Sequence, residues 1–376
     1  AMATFRKNGD IHTFFDKMVN GMIERGYDAE FAQRCFKQIE GFGTYGFPES
    51  HAASFALLVY ASAWLKCHYP EVFTCALLNA QPMGFYSPAQ LIADAQRSGV
   101  EVRPVDINYS AWDSTLEFVP QARHALRLGL RLVKGLNAVE AARITACRSE
   151  SYQSVEDIIT RSDISAKTIE LIAAADGLRS LGLNARQGFW QARKQGRLQM
   201  NKLPLFAQAD NRTKIIKQHD DSYLKLPPSL FGEQIAQDYT ATGLSLKGHP
   251  VDSLKAWFEK DRWQGCSAID EAPNGRRLRL IGLVTMRQRP GTAKGTVFVT
   301  IEDSLLSVNV IVWPHIVERD RTALLGAHLM GVYGRLQRQG PITHFIAESV
   351  HNCDSYLGFL HASDQQAPRL KSRDFH

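Results

Sequence analysis

The sequence predicts a multidomain, mainly α chain with a C-terminal β-barrel. Three observations carry that expectation. Apolar residues recur at three- and four-residue spacing through 10–100 and again through 138–196, and from Arg276 onward the period drops to two. A length of 376 residues exceeds one ordinary core. At 44% hydrophobic and 22% charged, the composition is that of a globular chain. The net charge of +6 permits a nucleic-acid partner without requiring one. The six cysteines are scattered and form no CxxC, which suits a reduced, cytoplasmic setting better than a disulfide scaffold or a zinc site. No secretory signal is present, and Ala1-Met2-Ala3 reads as a cloning remnant before a chain that begins mid-pattern, as a piece of something larger would.

The elements follow in order. Segments 11–25, 29–40, 52–67, 71–80 and 88–98 read as helices, punctuated by Gly26, Gly41-Phe42-Gly43, Pro70 and Pro88. The run Ala52–Leu65 falls short of the ~20 apolar residues a membrane span needs. It predicts a buried helix closed by Pro70, and no membrane partner. Residues 102–132 alternate, suggesting a small hairpin, and helices return over 138–196. The stretch 198–228 is polar and loop-like apart from "KLPLF", and two helices follow near 232–241 and 251–260. Beyond Arg276 come five strand patterns with a helix-sized insert at 314–324, which fits a Greek-key barrel of the OB type. The tail from Asp354 reads as weakly structured.

Chemistry-bearing motifs point to holding rather than reacting. "RLVKGLNAVEAARI" (131–144) has the form of a helix-hairpin-helix, in which Lys134, Gly135, Leu136 and Asn137 make a turn whose amides suit phosphates. Asn137 replaces a second glycine and is expected to take the left-handed conformation. An ordinary packing corner fits this motif equally well. A second copy at 164–182, without the hairpin glycine, reads as structural. The barrel region 276–350 carries ten Lys and Arg against five Asp and Glu. Arg277, Arg279, Arg287, Arg289, Arg335 and Arg338 are its candidate phosphate contacts, and Phe298 and Trp313 its candidate stacking platforms, with Tyr333 and Phe345 behind them. Leu203, Leu205 and Phe206 form an apolar knot of the kind that docks a partner or its own domain. No Walker loop, GxSxG or HExxH occurs, and no acidic pair is placed for two-metal chemistry.

"YGFPESHAASFALLVYASAWLKCHYPEVFTCALLNA" (45–80), "VRPVDIN", "DGLRSLG" and "TGLSLKGHPVDSLK" together resemble bacterial C-family DNA polymerases, the family of the replicative polymerase III alpha subunit. The barrel wording and the ending "SRDFH" are similar to its error-prone, ImuC-type branch. The resemblance implies the end of a helical fingers region (1–111), a hairpin plus helix-hairpin-helix domain (112–197), a linker with helices (198–275), an OB-fold (276–353) and a tail (354–376). It implies a translesion polymerase used in damage-induced mutagenesis, whose palm and Mg2+ site lie outside this chain, so that the chain itself holds no cofactor and polymerises nothing. Tyr45, Ser50 and His51 would form a fingers loop facing the nascent base pair. Duplex phosphates and single-stranded template are the expected DNA partners. Leu203, Leu205 and Phe206 stand where relatives carry a sliding-clamp motif, and other mutasome subunits are further expected partners. A stand-alone DNA-binding adaptor and a piece of the replicative polymerase remain alternatives.

Overall fold

The computed structural model describes residues 14–43, 49–83, 86–201, 229–291, 293–340, 342–360 and 373–375. The chain forms two compact units, 1–73 and 74–376. In the first, α1 (Phe15–Ile23) and α2 (Ala29–Gly43) pack through Val19, Ala32 and Phe36, with Phe15 edge-on to Phe36. The long apolar run is α3 (Glu49–His68), but its side chains from Ala52 to Tyr69 are exposed. The expected burial is therefore absent. An apolar run long enough for a helix fixes the helix, not what covers it, and here Phe55, Leu57, Leu58, Tyr60 and Trp64 form no single stripe. Helix α3 ends at His68, just before Pro70, as expected. Pro70 opens α4 (Pro70–Asn79), where its missing N–H costs nothing.

The second unit begins with α5 (Pro88–Arg97), started by a capping box in which Ser87 and Gln90 satisfy each other's amides. The alternating stretch holds the expected hairpin, two consecutive antiparallel strands, with a third strand beside it. Strands β1 (Val102–Arg103), β2 (Thr115–Glu117) and β3 (Ala125–Arg127) lie in the order β1-β3-β2, with β1 parallel to β3. Glu117 binds Arg103 and the buried Arg127, so the small sheet closes around its own ion pairs. A 3-10 turn (Leu130–Leu132) leads to α6 (Ala138–Ala146), α7 (Val155–Ser162), α8 (Ala166–Ala174) and α9 (Ala185–Asn201). Leu126, Leu130, Ile144, Ile158, Ile169 and Ile172 are among the core residues they share. Helix α9 thus reaches into the stretch expected to be loop.

After α10 (Phe231–Ala241), α11 (Pro250–Phe258) and α12 (Ala268–Glu271) comes the barrel. Its strands are β4 (Arg277–Gln288), β5 (Val297–Glu302), β6 (Ser307–Val312), β7 (Leu329–Gln339) and β8 (Ile342–Asn352). They run in the order β5-β6-β8-β7-β4, and β4 pairs back to β5, closing the sheet. The β6–β8 pairing is parallel, and α13 (Pro314–Arg319) with α14 (Arg321–Gly326) bridges β6 to β7. That is the OB arrangement. Leu280, Val299, Val310, Val332, Leu336 and Phe345 are in its interior. A bulge on β8, with Glu348 as the extra residue, lies opposite Tyr333 and Gly334 of β7, and Gly334 lies so close to the Ile346 carbonyl that no Cβ fits. The described parts of the tail, 354–360 and 373–375, are ordered, contrary to expectation. A 3-10 segment (Asp354–Leu360) buries Leu357 and Leu360 beside Phe258 and Trp263, and β9 (Arg373–Phe375) pairs parallel with Met286–Gln288. Leu357 and Leu360, three apart, are enough to pin the seven residues of this segment.

Candidate nucleic-acid interface

The hairpin is built from Val133 and Leu136, both buried, with the Leu136 amide donating to the Val133 carbonyl across the turn. Gly135 has φ +82°, the left-handed region, and a Cβ there would meet only the Leu171 methyls at ordinary contact. Asn137 is extended rather than left-handed, with φ −90°. Its side chain accepts from the Val139 amide at 2.8 Å, so it serves as the N-cap of α6. A glycine at one hairpin position suffices for the turn, and an asparagine before a helix is more useful as a cap. The amides of Gly135, Asn137 and Ala138 donate to no acceptor among the described residues. They lie at the start of α6 and are free for an anion. Lys134 is exposed, yet its Nζ donates to the carbonyls of Tyr239 (2.7 Å) and Thr240 (2.9 Å), so its charge sits at the C-terminal end of α10.

The second copy is a helical hairpin in its own right. Helices α8 and α9 pack against each other across a turn with Asp176 at φ +59° and Gly182 at φ +73°. Lys247 reaches this turn, at 3.0 Å from Asp176 Oδ2 and 2.7 Å from Asp238 Oδ1.

On the barrel the candidate cations separate by partner. Arg287 is buried, and its guanidinium donates to the carbonyls of Leu324 and Ala327 at the end of α14. Arg338 donates to the Ile269 and Asp270 carbonyls of α12. Neither is placed for DNA, because buried carbonyls at helix ends claim them. Arg277 pairs with Glu348 at 2.9 Å, and Arg279 lies 4.5 Å over the Trp263 ring. Arg289 and Arg335 are exposed and make no ion pair among the described residues. Phe345 is core, whereas Phe298 is half-buried and Trp313 exposed.

Alternation along β5 puts Val297, Val299 and Ile301 inside and Phe298, Thr300 and Glu302 outside. Cross-strand partners on β6 are Ile311, Asn309 and Ser307. Spacing on a strand gives the face once the strand is set, but the partners need register, so Asn309 and Ile311 were not legible. At one end of this face the β4–β5 loop brings Arg289 and exposed Lys294 near the β6–α13 corner. A Cβ built on Gly295 would stand 3.7 Å from both Arg289 Nη2 and Pro314 Cγ. Trp313 precedes that proline. At the other end, burial pushes the Glu302 carboxyl up to about 7, against hydrogen bonds from Gln90 and Ser307. The face therefore has a cationic, aromatic end and a weakly charged end.

Tyr45, Leu203, Leu205 and Phe206 lie outside the described residues. Ser50 and His51 belong to the first turn of α3 rather than to a loop.

A helix-hairpin-helix motif family matches residues 99–188, which contain both hairpins. Over 98% of its length the chain is 45% identical to the error-prone DNA polymerase of Brucella abortus biovar 1 (strain 9-941), covering 34% of that protein. It matches a third of an error-prone DNA polymerase. Error-prone DNA polymerase 2 of Rhizobium meliloti (strain 1021) gives 45% identity over 97% of this chain and 34% of its own. Error-prone DNA polymerase 3 of Agrobacterium fabrum (strain C58 / ATCC 33970) gives 44% over 97% and 34%. The chain spans about a third of the length of the curated relatives it matches, and the error-prone polymerase similarity runs through hairpins and barrel alike.

Proposed function

We propose that this chain is the DNA-holding part of an error-prone, translesion DNA polymerase used in damage-induced mutagenesis. The hairpin at 133–138 takes phosphates of the primer–template duplex on its free amides, without reading bases. The barrel face around Phe298, Ile311 and Trp313, edged by Arg289 and Lys294, takes the single-stranded template by stacking and charge. Unspent amides of Gly135 and Asn137, inside a stretch matching the helix-hairpin-helix family, carry this reading. Ser50 and His51 would belong to the part that meets the incoming base pair. Sliding-clamp docking through Leu203, Leu205 and Phe206, and docking of other mutasome subunits on the tail, complete the reading. The cytoplasm is its proposed setting, and no described helix is long and apolar enough to cross a membrane. Among the described residues no group of three His, Cys, Asp or Glu stands ready to hold a metal. The Mg2+ of polymerase chemistry would be held elsewhere in the full-length protein.

Fluorescence anisotropy with duplex, single-stranded and primer–template DNA tests the reading, alongside primer extension with Mg2+ and four nucleotides. Binding to all three with no extension is expected. Failure to bind any DNA at low salt, or robust synthesis by the chain alone, would overturn it.

A further inference from the structure

We infer that Lys247 is a positioning residue for duplex DNA, tying the second hairpin at Asp176 to the same end of α10 on which Lys134 fixes the first. The inference rests on the duplex reading proposed above. Four consecutive residues, 238–241, hold both hairpins. The Lys134 side chain and amide donate to the carbonyls of Tyr239, Thr240 and Ala241. Asp238, one step earlier, takes Lys247 Nζ at 2.7 Å and the Ser245 hydroxyl at 2.7 Å. Lys247 then spans to Asp176 at 3.0 Å, and Asp176 also holds Arg179 at 2.7 Å. Asp176 Oδ1 is buried with no hydrogen-bond partner, so Lys247 and Arg179 both compensate that carboxylate through its other oxygen. The segment carrying Lys247 is short and bent, with Gly243 at φ +86° and the Lys247 amide donating to Ser245 Oγ.

Among the described residues, the charged groups around Lys247 are Asp176 and Arg179 from the second hairpin and Asp238 from α10. Two negatives and two positives balance. Replacing Lys247 by Met leaves two carboxylates against Arg179 alone, inside a half-dry joint. Burial already raises the Asp238 carboxyl, and the Lys247 ammonium is the strongest influence lowering it. Without that amine Asp238 binds a proton more tightly. The joined arrangement is then favoured at acid pH and lost as pH rises, a dependence that a merely structural lysine would not leave behind.

The test is anisotropy on blunt duplex and on single-stranded DNA at pH 8.0 and 5.5, with each variant's affinity divided by that of the wild type. Lys247→Met should weaken duplex binding about tenfold at pH 8.0 and recover most of it at pH 5.5, since one broken buried pair is worth at least that. Single-strand affinity should stay within about twofold, because the barrel face is separate. Lys247→Arg should restore duplex binding. Lys247→Met with Asp238→Asn removes both charges and should show no pH dependence in the ratio, which keeps the inference testable if Lys247→Met alone fails to fold. Equal duplex affinity of Lys247→Met and wild type, or a pH-dependent ratio in the double variant, would overturn it. Wild-type protein that binds no duplex would overturn the DNA-holding reading, and the inference with it.

Discussion

Gly135 stands at φ +82°, a conformation that costs an ordinary residue ~1–2 kcal/mol and a β-branched one more. Because its neighbours leave room, Gly135→Val should act through the backbone of the turn rather than by a clash. Duplex affinity should fall severalfold in anisotropy while single-strand affinity holds. Equal loss on both forms would place the two strands on one surface. Glu302 and His249 are titratable groups with opposed effects. Burial lifts Glu302 to about 7 and lowers His249 to about 4, with Asp252 and Asp303 only partly offsetting the latter. A carboxyl raised above its unfolded value stabilises fully below that value and loses the contribution as pH rises toward 7. A histidine lowered below its unfolded value stabilises above it and loses the contribution as pH falls toward 4. The two slopes cancel between pH 4.5 and 6.5. Glu302→Gln should therefore raise stability at pH 8 by ~1 kcal/mol once partial solvent access is allowed for, seen as a higher melting temperature, and make stability fall more steeply on acidification. A melting profile parallel to wild type from pH 8 to 4.5 would refute this. These two groups were invisible in the sequence, since "TIEDS" and "KGHPV" give the residue type but not the helices that bury it.

At the scale of elements, the strands were the most legible part. Alternation of period two marks β4 to β8 within a residue or two, because one face of each must enter the barrel core. The helices were legible in place but not in environment. Helix α3 is rich in apolar residues and exposed from Ala52 to His68, while the start of the tail contributes Leu357 and Leu360, 1% and 2% exposed, to a core with Phe258. The segment Asp-Ser-Tyr-Leu-Gly-Phe-Leu is too short to set a period, so only the packed structure shows which of its apolar residues are buried. Leu357→Ala should cost ~2–4 kcal/mol, measured by urea unfolding, because the surrounding α11 and β7 cannot collapse onto the gap. A loss under ~0.5 kcal/mol would return the tail to the loose segment its composition suggests.

For the whole molecule, charge counted from sequence overstates what DNA can meet. Ten Lys and Arg lie between 276 and 350, but Arg287 and Arg338 are bound to helix-end carbonyls, Arg277 to Glu348 and Arg319 to Asp320, and Arg279 covers Trp263. Arg276, Arg289, Lys294, Arg321 and Arg335 remain exposed with no ion pair among the described residues. Each cation that neutralises a single-strand phosphate adds ~0.7 to the slope of log affinity against log salt. Only Arg289 and Lys294 of these five border the face of Phe298 and Ile311, next to Trp313. Arg289→Ala with Lys294→Ala should flatten the single-strand slope by ~1.4 and leave the duplex slope nearly unchanged, since the hairpin supplies amides rather than side-chain charge. Arg287→Ala should behave differently. It strands two buried carbonyls, so it should lower the unfolding free energy by ~1–3 kcal/mol while the salt slope of the folded fraction stays at the wild-type value. A slope that drops with Arg287→Ala but not with the loop pair would move the DNA path to the α14 end of the barrel, away from the β5–β6 face.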